Sequence, residues 1–281
     1  MNRAHHFIKA LAAFFLALGV AQASFATVPL GRPGNSDGSR AALVIGNASY
    51  PGAPLKNPLA DAEGMAKELE ELGFHVTLVR NAPWKSMQES VREFTRRAET
   101  AKVRVVFYAG HGAQIKGRNY MVPVDVDILE EEDLTRKSVD LGELVERLGR
   151  QTQAVNVVIV DACRNNPATN VTLAADGRRL KSRGAGAIGL ARMPAPAGTL
   201  IAYSTAPGQV ADDRLGGKNS LYTKHLLSHI DTPGITLEQL FKRVRLSVLQ
   251  ESQNKQQPWE ENSLSVDYCL KTSAGGRCPG I

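Results

Sequence analysis

The stretch VVIVDACRNNP (residues 157–167) decides how the rest of the chain is read. Val157, Val158, Ile159 and Val160 form a short, continuous apolar run, the pattern of a strand buried on both faces. The run leads into Asp161, Ala162 and Cys163, and Arg164-Asn165-Asn166-Pro167 then ends it. A carboxylate and a thiol at the end of a core strand need a reason, because burying a charge unpaired is costly. The carboxyl ends of parallel strands are where open α/β sheets bind ligands.

Moving outward, similar apolar runs alternate with helical patterns. Upstream lie AALVIGNA (41–48), FHVTLV (74–79) and VRVVFYAG (103–110), and downstream GTLIAYST (198–205). The segment NPLADAEGMAKELEELG (57–73) carries Leu59, Ala62, Met65, Ala66 and Leu69 at helical spacing. Asn57 is expected to cap that helix, Pro58 to occupy its first turn and Gly73 to close it. WKSMQESVREFTRRAET (84–100), SVDLGELVERLGR (138–150) and two segments around 219–230 and 236–251 also read as helices. GRNYMVPVDVDILEEEDLTRK (117–137) reads as a small hairpin followed by an acidic loop. This alternation predicts an α/β fold, a mostly parallel sheet flanked by helices on both faces, with no repeat and no second domain.

The amino terminus belongs to something else. Residues 1–26 combine basic Arg3 and Lys9, an apolar run from about Ala10 to Val20, and the small pairs Ala21-x-Ala23 and Ser24-x-Ala26. That is the pattern of a cleaved secretory signal peptide, too short in its apolar part to span a bilayer well. TVPLGRPGNSDGSR (27–40) reads as a linker, 41–268 as the folded domain and 269–281 as a tail. The expectation is an exported protein, periplasmic or secreted, with no membrane span once the signal is removed. Losing Arg3 and Lys9 lowers the formal charge from +6 by two, to +4. So mild an excess gives no argument for nucleic acid. The rest of the composition, 43% apolar and 22% charged, is that of an ordinary globular domain.

The chain has three cysteines. In an oxidising compartment Cys269 and Cys278 are placed to pair across a short glycine-containing loop, two unpaired thiols in a tail being the alternative. Cys163 is then the lone thiol. His111 stands between two glycines where the 103–110 strand ends in YAGHG, a position equivalent to that of Cys163. A thiolate nucleophile needs a nearby imidazole to take its proton and later to protonate a leaving amine. The backbone N–H groups of Gly112 and Cys163 suit a developing oxyanion. Either residue alone reads more readily as a small buried hydrophobe or a turn residue. The pair at equivalent strand ends points to hydrolysis by a thiol.

These residues also carry a family resemblance. ALVIGNASY with LKNPLADA, VVFYAGHG, YMVPVD, VVIVDACRNNP, GTLIAYSTAPGQVA and NSLYTKHLL, followed by QQPWEENSL, are similar in kind and order to the motifs of bacterial caspase-like cysteine peptidases. That clan contains caspases, metacaspases and orthocaspases. The resemblance runs from about residue 41 to 268. It implies a six-stranded, mostly parallel sheet, a dyad of His111 and Cys163, a monomer, and no redox or organic cofactor. Asp161 stands where caspases have glutamine and where metacaspases and orthocaspases have aspartate, and Asp61 falls on the floor of the specificity pocket. Asp213 is a third candidate pocket acid, with Asp212 an open alternative. Such acids favour Arg or Lys at the cleavage site and repel acidic residues. The expected partners are therefore basic protein or peptide substrates.

Directly after the nucleophile lies a basic segment, with Arg178, Arg179, Lys181, Arg183 and Arg192 among Gly, Ala and Pro. In residues 176–192 the chain carries the side chains an acidic pocket would accept, and Arg179, Lys181 and Arg183 are candidate self-cleavage sites. The acidic run Asp125–Asp133 offers a place for calcium, an activator in many metacaspases, but its spacing is not that of an EF-hand and suits a solvated face. His225 and His229 lie four apart on a helix with no third ligand in sequence. No metal site is expected. A catalytically silent module binding a peptide in the same cleft is the alternative function, and a thiol hydrolase acting on another bond is a further one.

Overall fold

The computed structural model describes residues 39–126, 131–151, 153–163, 190–207, 217–274, 276 and 278, with Glu131 and Cys163 described in their backbone only. The apolar runs form β1 (Arg40–Gly46), β2 (His75–Arg80), β3 (Val103–Ile115), β6 (Val155–Cys163) and β7 (Thr199–Tyr203). They pair in parallel, and β8 (Trp259–Asn262) adds an antiparallel edge, giving the order β2-β1-β3-β6-β7-β8. The fold is thus the expected α/β type, a mostly parallel sheet with helices on both faces. β8 is not legible as a strand, because Pro258 precedes it and Trp259 is its only apolar residue. Its place at an edge, where one side need not be buried, explains why such a polar sequence suffices.

Side chains alternate across the strands and so build two cores. Val105, Phe107, Val157 and Ile159 pack against α1 (Pro58–Glu71), α5 (Leu221–His229) and α6 (Leu237–Glu251). Val106, Tyr108, Val158 and Val160 pack against α2 (Trp84–Arg97) and α4 (Leu141–Gly149). The acidic loop contains a short α3 (Glu131–Arg136), and β5 (Val139–Asp140) occupies what the periodicity assigns to the start of α4. Asp140 caps α4 instead, accepting from Glu143 N at 3.0 Å. Asn57 does not cap α1 with its side chain. Its Nδ2 donates to the carbonyls of Gly217 and Lys218, both at 2.9 Å, and ties α1 to the chain entering α5. Gly46 allows α1 to approach β1 closely, since a Cβ there would lie 2.5 Å from Pro58 O and 2.6 Å from Ala62 Cβ. Among the described residues no helix is long and apolar enough to cross a membrane.

The tail is joined to this body. Cys269 and Cys278 are bridged, and Cys269 and Leu270 are buried. Arg40 Nη1 donates to Leu72 O at 2.7 Å and Leu270 O at 3.0 Å, with its guanidinium near the rings of Phe74 and Tyr268.

β3 does not stop at Gly110. Its parallel pairing with β6 ends at His111↔Cys163, and from Gly112 it pairs antiparallel with β4 (Arg118–Met121). Lys116 and Gly117, at φ +49° and +80°, form the two-residue turn between them. Two buried tyrosines fix the point where the partner changes. Tyr108 Oη donates to His111 O at 2.6 Å and accepts from Val122 N at 3.1 Å. Tyr50 Oη accepts from His111 N at 3.0 Å and donates to Val122 O at 2.9 Å. Gly110 leaves room for both hydroxyls, since a Cβ there would lie 2.7 Å from each. In urea denaturation, Gly110→Ala is expected to lose about 1–3 kcal/mol by overpacking. Tyr108→Phe is expected to lose about 1–2 kcal/mol, the hydroxyl's two buried bonds. Unchanged midpoints would show that the tyrosines do not hold this junction.

Candidate active site

His111 lies at the crevice where the sheet order reverses, between β1 and β3. This is the switch point at which open α/β sheets bind ligands. The loop after β1 shapes its surroundings. The Tyr50 ring packs 4.3 Å from the imidazole, tilted by 54°, and His111 Nε2 lies 2.8 Å from Ala53 O. A carbonyl only accepts, so Nε2 carries the proton in neutral His111 and Nδ1 is the basic nitrogen. The side chain is almost wholly buried, at 5% exposure. Cys163 is its direct neighbour in register across β3 and β6.

Gly112 follows from the same ladder. Val122 N donates to His111 O at 3.1 Å, so Gly112 and Met121 face each other as a pair that exchanges no backbone hydrogen bonds. The Gly112 N–H is therefore turned away from β4, to the side of β6.

The two acids expected in the pocket come together through α5. Asp161 continues the row of Val157 and Ile159 and emerges on the face covered by α1 and α5. Asp61 arrives on the first turn of α1. Both are buried, at 6% and 1% exposure. Ser220 joins them: its N–H donates to Asp61 Oδ1 at 3.0 Å, and its hydroxyl donates to Asp161 Oδ2. Asn219 Nδ2 adds a bond to Asp61 Oδ1 at 2.9 Å, and Thr223 Oγ1 one to Asp161 Oδ2 at 2.7 Å. Ser220 also caps α5, accepting from Thr223 N at 3.0 Å. The carboxylates thus sit at a helix amino terminus, where the peptide dipoles favour negative charge. Burial, and after it the negative charge of Asp161, push the Tyr222 phenol well up, so that it stays neutral beside them.

Tyr50, Ala53, Asn219, Ser220 and Thr223 are the site residues that sequence reasoning missed. The signal for Ser220 was present, an Asn-Ser pair directly before an apolar helical run. Nothing local marks Ala53, which acts through its carbonyl.

The signal segment 1–26, Asp212, Asp213, Arg178, Arg179, Lys181 and Arg183 lie outside the described residues. Arg192 is held by Glu261, with Nε 2.6 Å from Oε1. In the acidic run, Asp125 Oδ1 accepts from Trp84 N at 2.7 Å, and Asp133 pairs with Arg136 at 3.3 Å. The acid missing in sequence beside His225 is Glu251 of α6, whose Oε2 lies 2.9 Å from His225 Nε2. His229 Nε2 is 3.0 Å from Ser247 Oγ. Among the described residues no group of three His, Cys, Asp or Glu is gathered to hold a metal.

Comparison with known proteins gives the family. The chain is 28% identical over 144 residues to the human (Homo sapiens) mucosa-associated lymphoid tissue lymphoma translocation protein 1, covering 48% of this chain and 17% of that protein. It is 29% identical over 143 residues to the mouse (Mus musculus) homolog, with the same shares. The chain therefore spans only a small part of the length of these relatives. The model of a peptidase family, Peptidase_C14, described as the caspase domain, matches residues 39–268. With that match over most of its length and the fold to go with it, the chain belongs to the caspase-domain family of peptidases.

Proposed function

We propose that the protein is an exported cysteine endopeptidase that cleaves after Arg or Lys. The observation that carries the reading is the end of the β3–β6 ladder, where His111 and Cys163 are paired beside the buried acids joined by Ser220. His111 Nδ1 takes the Cys163 proton, and the thiolate attacks the scissile carbonyl carbon. The electron pair moves to the carbonyl oxygen, held by the N–H groups of Gly112 and Cys163. Collapse breaks the C–N bond, and the leaving amine takes the proton from His111. A water then gives a proton to His111 and attacks the thioester carbon, and the acid product and the Cys163 thiol are released.

Asp61 and Asp161 form the core of the basic-residue pocket, completed by Asp213 or Asp212. They attract a guanidinium or ammonium group and oppose a carboxylate. Self-processing at Arg179, Lys181 or Arg183 belongs to the same reading, as do a monomeric state and residence in the periplasm or outside the cell. The chemistry calls for no organic or redox cofactor, and calcium enters only as an activator.

The decisive assay is cleavage of fluorogenic peptides ending in Arg, Lys or Asp by the protein lacking residues 1–26, under reducing conditions, with and without calcium. Hydrolysis after Arg or Lys, lowered by at least ~10³-fold in Cys163→Ala, is expected. Silence on every peptide, with a folded protein and a titratable thiol, would favour a binding module in the same cleft. Asp61→Asn keeps an acceptor for Asn219 and Ser220 and removes a charge. It should lower kcat/KM on Arg peptides by roughly 100-fold, the worth of a buried charge contact, and an unchanged value would take Asp61 out of the pocket. On a denaturing gel, active wild type should run as two pieces. The triple Gln variant of Arg179, Lys181 and Arg183 should run as one, and an intact active wild type would remove self-processing.

A further inference from the structure

Residues 190–192, at the downstream end of the basic segment that follows Cys163, are held at three consecutive positions. Leu190 is 4% exposed and seated against Gly112, where a Cβ would lie 3.1 Å from Leu190 Cδ2 and 3.0 Å from Ala162 Cβ. Ala191 is bonded on both backbone groups by one side chain: Asn119 Nδ2 donates to Ala191 O at 2.8 Å, and Ala191 N donates to Asn119 Oδ1 at 2.7 Å. Arg192 pairs with Glu261, which also accepts from Trp259 Nε1 at 2.9 Å. Asn119 is itself 2% exposed and sits on β4 opposite Gln114 of β3.

A buried carboxamide that satisfies the N–H and the C=O of one residue acts as a one-residue β-bridge, costly to break because it would strand polar groups away from water. Its consequence falls on Gly112. The peptide that carries the Gly112 N–H is oriented through His111 O, which accepts from Tyr108 Oη and Val122 N; Gly112 has no side chain to anchor its own Cα, which Leu190 and Ala162 confine by packing on it.

We propose that Asn119 is a positioning residue for peptide hydrolysis: its clamp on Ala191 seats Leu190 against Gly112 and so limits the movement of the N–H that receives the oxyanion. The inference rests on the oxyanion role proposed for Gly112. It makes the downstream end of the basic segment part of the catalytic frame. A cut at Arg179, Lys181 or Arg183 leaves that frame in place, because β3, β4 and β8 hold residues 190–192.

The test compares wild type, Asn119→Ala, Leu190→Ala and the volume-conserving Leu190→Met. For each, kcat and KM are measured on an Arg peptide, together with inhibition by the matching peptide aldehyde, whose tetrahedral adduct puts an oxygen in the same hole. The rate of Cys163 alkylation by iodoacetamide is read in parallel. Asn119→Ala and Leu190→Ala should lower kcat roughly tenfold to a hundredfold, the scale of a misplaced oxyanion donor, with KM within about twofold. The aldehyde should weaken by the same factor, alkylation should not change, and Leu190→Met should keep the wild-type rate. Wild-type kcat in both alanine variants, a loss confined to KM, or a loss that follows alkylation would overturn the clamp while wild-type cleavage leaves the peptidase reading standing. Wild type that alkylates but cleaves nothing would overturn both.

Discussion

The parallel pairing of β3 with β6 runs unbroken from Val103↔Val155 to His111↔Cys163, and the rest of the site is built around where it ends. Its offset is set far from the site. Val105 and Phe107 of one strand and Val157 and Ile159 of the other share a face with α1, α5 and α6, while Val106, Tyr108, Val158 and Val160 share the opposite face with α2 and α4. A slip by one residue would exchange the faces of a whole strand, so the two apolar rows specify the register strongly. Hydrophobic packing at the base of the sheet thereby decides which residue stands beside His111 at its top.

Burying polar groups at that end has to be offset locally. For His111 this is done through the backbone, with Tyr50 and Tyr108 satisfying its N–H and C=O while Ala53 O takes the imidazole Nε2–H. For the acids it is done through a helix start. The residues entering α5 supply Asn219, Ser220 and Thr223 as donors, and the dipole of the helix favours the charge. Among the bonds between described residues named above, the two arrangements share no residue.

Long-range ties keep these pieces in place. Asn57, at the start of α1, bonds the chain that enters α5, so the helices carrying Asp61 and Ser220 are joined directly. Arg40 links the start of β1 to the end of α1 and to Leu270, next to the bridged Cys269. Asn119 and Glu261 hold residues 191 and 192 from two different strands.

The fold was legible because its strands are continuous apolar runs and its helices keep a 3.6-residue period, signals that depend only on near neighbours in the chain. His111, Gly112, Cys163 and Asp161 could be singled out because their types and positions at strand ends are unusual for a core, whereas Asp61, an ordinary first-turn acid by itself, was marked only by the family resemblance. The order of residues alone thus yields the set of elements and the residues with unusual chemistry at their ends. The polar edge strand β8, the extension of β3 past Gly110, the true partners of Asn57 and the meeting of Glu251 with His225 were decided by tertiary structure. So were Ala53 O on the imidazole, Ser220 between two acids more than fifty residues from it, and Asn119 on Ala191. The physical reason is the same in each case. These contacts join groups distant in sequence through single, directional hydrogen bonds, often to backbone atoms that every residue possesses, and only folding brings such atoms within 3 Å or so of one another.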